Sequence, residues 1–200
     1  MTTPPNPWLA TRSRDGDAYD APYERRAAAG EDVHGEANFV CGYPEVRSVL
    51  DAGCGTGRVT RELARRGFDV AGVDLDPAML ATGQRKAPEL DWHLADIETV
   101  DLARQFDLVL MTGNVMVFLT PGTEGAVLAN LARHLEPQGL LIAGFQLSPA
   151  RLSIDRYDEL AARASLQLVE RFSTWDREPW VMGGGYAVSV HRLTKRASSI

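Results

Sequence analysis

One stretch of the chain combines residue types suited to holding a small charged molecule: Val49-Leu50-Asp51-Ala52-Gly53-Cys54-Gly55-Thr56-Gly57. It is an apolar run closed by a carboxylate and followed by glycines at alternate positions. Glycine has no Cβ, so a backbone containing Gly53, Gly55 and Gly57 can take positive φ and come within contact distance of a ligand. The spacing is not that of the dinucleotide fingerprint G-x-G-x-x-G, whose last glycine supports a pyrophosphate at a helix N-terminus, because Arg58 stands at that position. Asp51 is equally unsuited to a diphosphate and suits an ammonium group. The stretch reads as the loop of a nucleotide-type cofactor that carries amino-acid charges.

Further segments extend this reading. Val73-Asp74-Leu75-Asp76-Pro77-Ala78-Met79-Leu80, Phe106-Asp107-Leu108-Val109-Leu110 and Leu135-Glu136-Pro137-Gln138-Gly139-Leu140-Leu141-Ile142 follow in order. Together with the glycine loop they resemble the successive signatures of the class I (Rossmann-like) S-adenosylmethionine-dependent methyltransferases, over roughly residues 45 to 145. The resemblance implies S-adenosylmethionine as cofactor, S-adenosylhomocysteine as product and in-line methyl transfer to an acceptor. At the fourth strand's end, members that methylate the exocyclic amines of bases carry Asn or Asp, two prolines and an aromatic. This chain reads Thr112-Gly113-Asn114-Val115 instead, so the acceptor is expected to be a small molecule.

The same resemblance assigns site residues. Asp51, Gly53, Cys54, Gly55 and Gly57 would form the cofactor loop, and Asp74 would accept both ribose hydroxyl protons. Leu75 and Met79 would pack on the adenine. Asp96, with Ile97 beside it, would accept the adenine amino protons, or else it only caps a turn. Gly113 would allow close backbone approach to the methionine part, and Asn114 would offer a donor and an acceptor, or else it closes a turn. Cys54 is read as filling space rather than as a nucleophile. Methyl transfer requires mostly alignment and exclusion of water. The catalytic residue is therefore left open between two candidates, His34 as a base and Asn114. No histidine pair has zinc-ligand spacing, and no metal is expected. Arg58 and Arg61 read as a solvated helix face. Trp175, Trp180 and Tyr186 read equally as a substrate cleft or as packing on the sheet edge.

Composition bounds the alternatives. The 200 residues, 44% hydrophobic and 24% charged, suit a single domain, and a formal net charge of −6 disfavours nucleic acid and anionic lipid as partners. The longest apolar stretch, Phe106 to Leu119, is short for a membrane span and is interrupted by Asp107, Gly113 and Asn114. The N-terminus shows no signal pattern. A reduced, cytoplasmic monomer or homodimer is expected. Two rival classes stand beside the enzyme: a non-catalytic S-adenosylmethionine or S-adenosylhomocysteine binder, and an NAD(P)-dependent oxidoreductase.

The elements that must position these residues follow from caps and breakers. Residues 1 to 16 read as a loose arm; Asp20 caps a helix with Pro22 in its first turn, stopped by Gly30, and a short helix spans 35 to 42. Strands are expected at 48–51, 69–74, 92–95, 106–112, 140–146, 166–174 and 186–193. Helices are expected at 58–66, 77–86, 123–135 and 153–163, capped by Asp76, Thr123 and Ser153 where a cap is legible. The alternation predicts an α/β sheet with right-handed crossovers. The resemblance supplies a three-layer sandwich with strand order 3-2-1-4-5-7-6 and the last strand antiparallel. Residues 1–43 are expected to form an arm and lid helices over a methyltransferase domain at 44–200. In that lid Trp8, Tyr19 and Tyr23 would face the cationic methyl centre and Arg25 or Arg26 the cofactor carboxylate.

Overall fold

Alternating side chains on an extended segment point to opposite faces, and in the computed structural model, which describes residues 6–11, 15–148 and 152–194, such segments build one seven-stranded sheet. Its strands are β1 (Ser48–Ala52), β2 (Asp69–Asp74), β3 (Asp91–Leu94), β4 (Phe106–Met111), β5 (Leu135–Gln146), β6 (Leu166–Phe172) and β7 (Tyr186–Leu193). The order is β3-β2-β1-β4-β5-β7-β6. All pairings are parallel except those of β7, which runs antiparallel to β5 and β6. The architecture is the one the resemblance implied.

Helices α1 (Pro7–Thr11), α2 (Gly16–Ala28) and α3 (Gly35–Cys41) precede the sheet. Helices α4 (Arg58–Arg65), α5 (Pro77–Lys86), α6 (Val115–Phe118), α7 (Glu124–Arg133) and α8 (Ile154–Arg163) connect its strands. Neighbouring strand residues divide between two cores. Leu50, Val73, Val109 and Leu141 face Val127, Leu128 and Leu131 of α7 and Tyr157 and Leu160 of α8. Val49, Val70, Leu108 and Ile142 face Phe39 and Val40 of α3 and Val59 and Leu63 of α4. Among the described residues no helix is long and apolar enough to cross a membrane.

Several expectations are corrected. Part of the expected loose arm, Pro7–Thr11, is helical. Helix α2 begins at Gly16 with Asp15, not Asp20, as its cap, the Asp15 side chain accepting the Ala18 amide at 2.8 Å. Asp20 and Pro22 therefore lie inside the helix. A sequence window centred on the proline favours a late start, because proline is at ease in a first turn; the earlier Asp-Gly pair sets the real one. Strand β5 starts at Leu135 rather than Leu140, since Leu135 pairs with Phe106 and Leu140 with Leu108, and residues 136–139 bulge out between them.

Aromatic packing explains one glycine of the loop. Gly57 has φ +72° and is the N-cap of α4, and a Cβ there would lie 2.1 Å from the Trp92 ring. Gly72 and Gly83 make room for the same indole, whose Nε1 donates to the Ala87 carbonyl at 2.8 Å. Gly57 thus seats Trp92 beneath the loop and is not part of the cleft wall described below. Gly57→Ala combines a left-handed backbone with overlap, so it should lower unfolding free energy by about 2–5 kcal/mol in a urea titration. A loss under about 0.5 kcal/mol would contradict this packing.

Candidate cofactor and acceptor site

In open α/β sheets ligands sit beyond the carboxyl ends of the strands where strand order reverses. Here β1 lies between β2 and β4, and a cleft enclosing about 980 Å³ of empty space, mouth included, opens above their ends. Gly53, Cys54 and Gly55 wall it from the loop, Asp74, Leu75 and Met79 from the end of β2 and α5, Asp96 and Ile97 beyond β3, and Gly113 beyond β4. These include most of the residues assigned from the resemblance. A Cβ on Gly55 (φ +57°) or on Gly113 (φ +62°) would meet nothing within 4 Å, so both face open space. Gly53 differs, because a Cβ there would strike the Val115 side chain at 2.4 Å.

The buried carboxylate of Asp74 organises the loop. Its Oδ2 accepts the Gly55 amide at 2.7 Å and its Oδ1 accepts the Asp76 amide at 2.8 Å. Burial raises its pKa and the backbone donors oppose that. Asp76 in turn accepts the Ala78 amide at 2.9 Å as cap of α5, and its other oxygen accepts Trp8 Nε1 at 2.9 Å. Asp96 is exposed and accepts the Glu98 amide at 2.9 Å, so it caps its turn while facing the cleft.

Asp51 lies under the loop instead of in the cleft wall, fully buried, with Thr60 Oγ1 donating to Oδ2 at 2.6 Å. Its Oδ1 has no hydrogen-bond partner among the described residues, and burial pushes its pKa up to about 6. Asn114 is also outside the wall: its Oδ1 accepts the Gln146 amide at 2.8 Å, tying the turn before α6 to the end of β5. His34 sits in a separate groove with Asp20, Arg61, Glu62 and Arg65, 4.0 Å from Glu62, and does not reach the cleft. Cys54 lines the cleft with burial pushing its thiol well up, which opposes thiolate chemistry. Among the described residues no His, Cys, Asp and Glu cluster could hold a metal.

Trp8, Tyr19 and Tyr23 line the cleft, with Trp8 edge-on to Tyr19 and to Phe118 of α6. Arg25 and Arg26 do not: both are exposed, and Arg26 pairs with Glu31 at 2.7 Å. The cleft's guanidinium is Arg58, read from sequence as a solvated residue. It stacks over the Tyr23 ring at 4.4 Å, pairs with Glu36 at 2.6 Å and donates to the Val33 carbonyl. Arg61 is likewise engaged, with Asp20. The signal for Arg58 was its place at the first helical residue after the glycines, where the side chain stands at the loop's mouth. Phe118, Thr120 and Thr123, which also line the cleft, come from a turn whose helix α6 had no legible pattern. Trp175 instead packs edge-on against Phe39 and donates to the Tyr186 hydroxyl at 3.0 Å, so this pair packs on the core beneath α3.

Comparison with known proteins agrees with this geometry. Residues 49–139 match the family model described as a methyltransferase domain. A TehB-like SAM-dependent methyltransferase from Corynebacterium glutamicum has a crystal structure that superposes with a TM-score of 0.81 at 34% identity, over 90% of this chain and 98% of that one. The chain belongs to the class I S-adenosylmethionine-dependent methyltransferases. Among curated relatives of this methyltransferase family, a dTDP-amino-sugar N,N-dimethyltransferase from Streptomyces venezuelae is 33% identical over 63% of this chain and 54% of its own. The chain thus spans about half the length of the curated relatives it matches. The amino pentose methyltransferase CalS10 from Micromonospora echinaspora, solved with SAM bound, shares the fold with a TM-score of 0.72 at 22% identity, over 92% of this chain and 99% of that one.

The raised pKa of Asp51 has a stability consequence. Between pH 4 and 6 an unfolded Asp loses its proton while the buried one keeps it, so the native state binds more protons and stability falls as pH rises. The decline attributable to Asp51 should total roughly 1–3 kcal/mol in the unliganded protein and level off above pH 6. Urea unfolding of wild type and Asp51→Asn at pH 4.5 and 7 isolates it: the variant should gain on wild type at the higher pH. Parallel behaviour of the two proteins would show that Asp51 ionises normally.

Proposed function

We propose that the protein transfers the methyl group of S-adenosylmethionine to a small-molecule acceptor. The observation that carries this reading is the cleft itself, where Gly55 and Gly113 leave space that a Cβ would fill and the buried carboxylate of Asp74 stands at the end of β2. That donor set fits a nucleoside bearing an amino-acid tail. The lone pairs of Asp74 not used by the loop amides would accept from ribose hydroxyls, Leu75 and Met79 would present apolar surface to the base, and Asp96 with Ile97 would border its amino edge. Gly53, Cys54 and Gly55 would carry backbone toward the tail, and Arg58, held by Glu36, would stand on the side of its carboxylate, with Tyr19 and Tyr23 alongside. When bound, the cofactor supplies an electrophilic methyl on a sulfonium. Asp51 would serve it from below the loop, by holding Thr60 and the loop's base.

Trp8, Phe118, Leu119, Thr120 and Thr123 would form the acceptor side. Helices α1 to α3, within residues 1–43, act in this reading as a lid on the domain formed by residues 44–200, and they exclude water from the sulfonium. Tyr19 is a proton donor and not a base, since burial holds its pKa at about 12. Asn114 and His34 lie outside the cleft wall, so in this reading positioning rather than either of them carries the rate. Amines are the first acceptors to try, because relatives such as the Streptomyces venezuelae enzyme act on amino sugars. With net charge −6 the protein is suited to such solutes in the cytoplasm, as monomer or homodimer, rather than to nucleic acid or membrane.

Two outcomes test the reading. Incubation with methyl-labelled S-adenosylmethionine and panels of small amines, acids and thiols should yield S-adenosylhomocysteine with at least one acceptor; binding without turnover across all panels would favour the non-catalytic alternative. Asp74→Ala should weaken S-adenosylhomocysteine binding by about 1–3 kcal/mol in calorimetry and also lower the melting temperature, because two loop amides lose their acceptor. An unaltered affinity would remove Asp74 from the site. Gly55→Val should abolish binding, its side chain filling ligand space at a positive φ.

A further inference from the structure

Helix α2 is attached to the body of the protein in an unusual way. Its buried residues are Gly16 and Asp20, one without a side chain and the other a carboxylate. Gly16 permits close approach, since a Cβ there would lie 2.4 Å from Thr82 Oγ1 of α5 and 3.0 Å from the Thr56 methyl. Asp20, 2% exposed, receives three donors from three different elements. Thr56 Oγ1 donates to its Oδ1 at 2.5 Å, Lys86 Nζ from the end of α5 to its Oδ2 at 2.6 Å, and Arg61 of α4 stands 3.4 Å away. Lys86 also reaches Glu24, and Arg85 pairs with Asp17 at 2.6 Å. Polar and charged contacts thus dominate the attachment of α2 to α4 and α5.

Thr56 is the decisive partner. It lies between Gly55 and Gly57, inside the loop that walls the cofactor cleft, and it is itself 1% exposed. Tyr19 and Tyr23, the residues beside and one turn along from Asp20 on α2, line that same cleft. We propose that Asp20 is a positioning residue that couples docking of α2 to the geometry of the glycine loop. The Asp20 carboxylate holds the Thr56 hydroxyl when α2 is docked, which fixes the loop for the cofactor's tail and sets Tyr19 and Tyr23 over it. Departure of α2 breaks this bond, releases the loop and opens the cleft for exchange. The inference rests on the cofactor reading above, and it goes beyond it by naming the link between the two moving parts.

A helix held by a carboxylate and cations should loosen with salt, because exposed ion pairs such as Arg85 with Asp17 are screened while an apolar contact is not. S-adenosylhomocysteine dissociation from wild type, followed by stopped-flow tryptophan fluorescence, should therefore accelerate severalfold between low and molar sodium chloride.

The direct test is a double-mutant cycle on the full chain, read by calorimetry with S-adenosylhomocysteine and by hydrogen exchange of residues 16–28. Asp20→Asn and Thr56→Val should each raise Kd roughly ten- to a hundredfold, and the double variant should be no weaker than the worse single one. Thr56→Ser, which keeps the hydroxyl, should bind like wild type. In wild type the ligand should slow exchange in residues 16–28; in either weakened variant at saturating ligand that protection should be reduced. Kd values within twofold of wild type, or two effects that multiply independently, would overturn the coupling even where melting temperatures fall. If Asp20→Asn does not fold, Thr56→Val against Thr56→Ser decides alone. Failure of wild type to bind S-adenosylhomocysteine would instead overturn the cofactor reading, and the coupling with it.

Discussion

The carboxylate of Asp74 is the interaction on which the rest of the site depends. Placed at the end of β2 by the parallel pairing of Asp51 with Gly72 and Asp74 with Leu94, it accepts one amide from the glycine loop and one from the turn that starts α5. Two chain segments are thereby referred to one buried group, beside the Gly53 and Cys54 amides that the Val73 carbonyl holds. Charge-assisted bonds to backbone amides are worth about twice neutral ones, and removing the acceptor would leave two donors unsatisfied. The loop can therefore afford glycines at its ligand-facing positions, where no side chain helps to fix the backbone.

Everything further out is built on that reference. Trp92, seated beneath Gly57, Gly72 and Gly83, fills the space under the loop with a rigid ring. Asp51 and Thr60 close it from below, and Asp76 extends it to Trp8 on the N-terminal side. The inner layer is thus an indole and buried carboxylates bonded to loop amides and a hydroxyl, whereas α2 rests on ion pairs and a hydroxyl. In the proposed coupling, that contrast would let α2 move where the ligand enters and leaves.

The fold was legible in the sequence because its signals are local and repeated: apolar runs with turn residues between them, caps at Asp76 and Ser153, and a glycine loop after the first strand. The cleft wall was legible for the same reason, since Gly53, Asp74, Leu75, Asp96 and Gly113 all sit at or just beyond strand ends. What was misjudged depends on contacts far apart in sequence. Arg58 resembled any helix-surface arginine until Glu36 and Tyr23 were brought to it, and Arg26 resembled a cofactor ligand until Glu31 claimed it. Asp20 had the type of a cap, and its burial among Thr56, Arg61 and Lys86 is set by helix packing that no window of sequence contains. His34 and Asn114 were nominated on chemistry alone, and their surroundings assign them to a separate groove and to a turn.

The cleft is shaped for a nucleoside with an amino-acid tail and not for a dinucleotide. Calorimetric titration of the wild-type chain with S-adenosylhomocysteine and, separately, with NADH tests it most directly. Saturable one-to-one binding of S-adenosylhomocysteine with no binding heat from NADH is expected; saturation by NADH with no response to S-adenosylhomocysteine would contradict it.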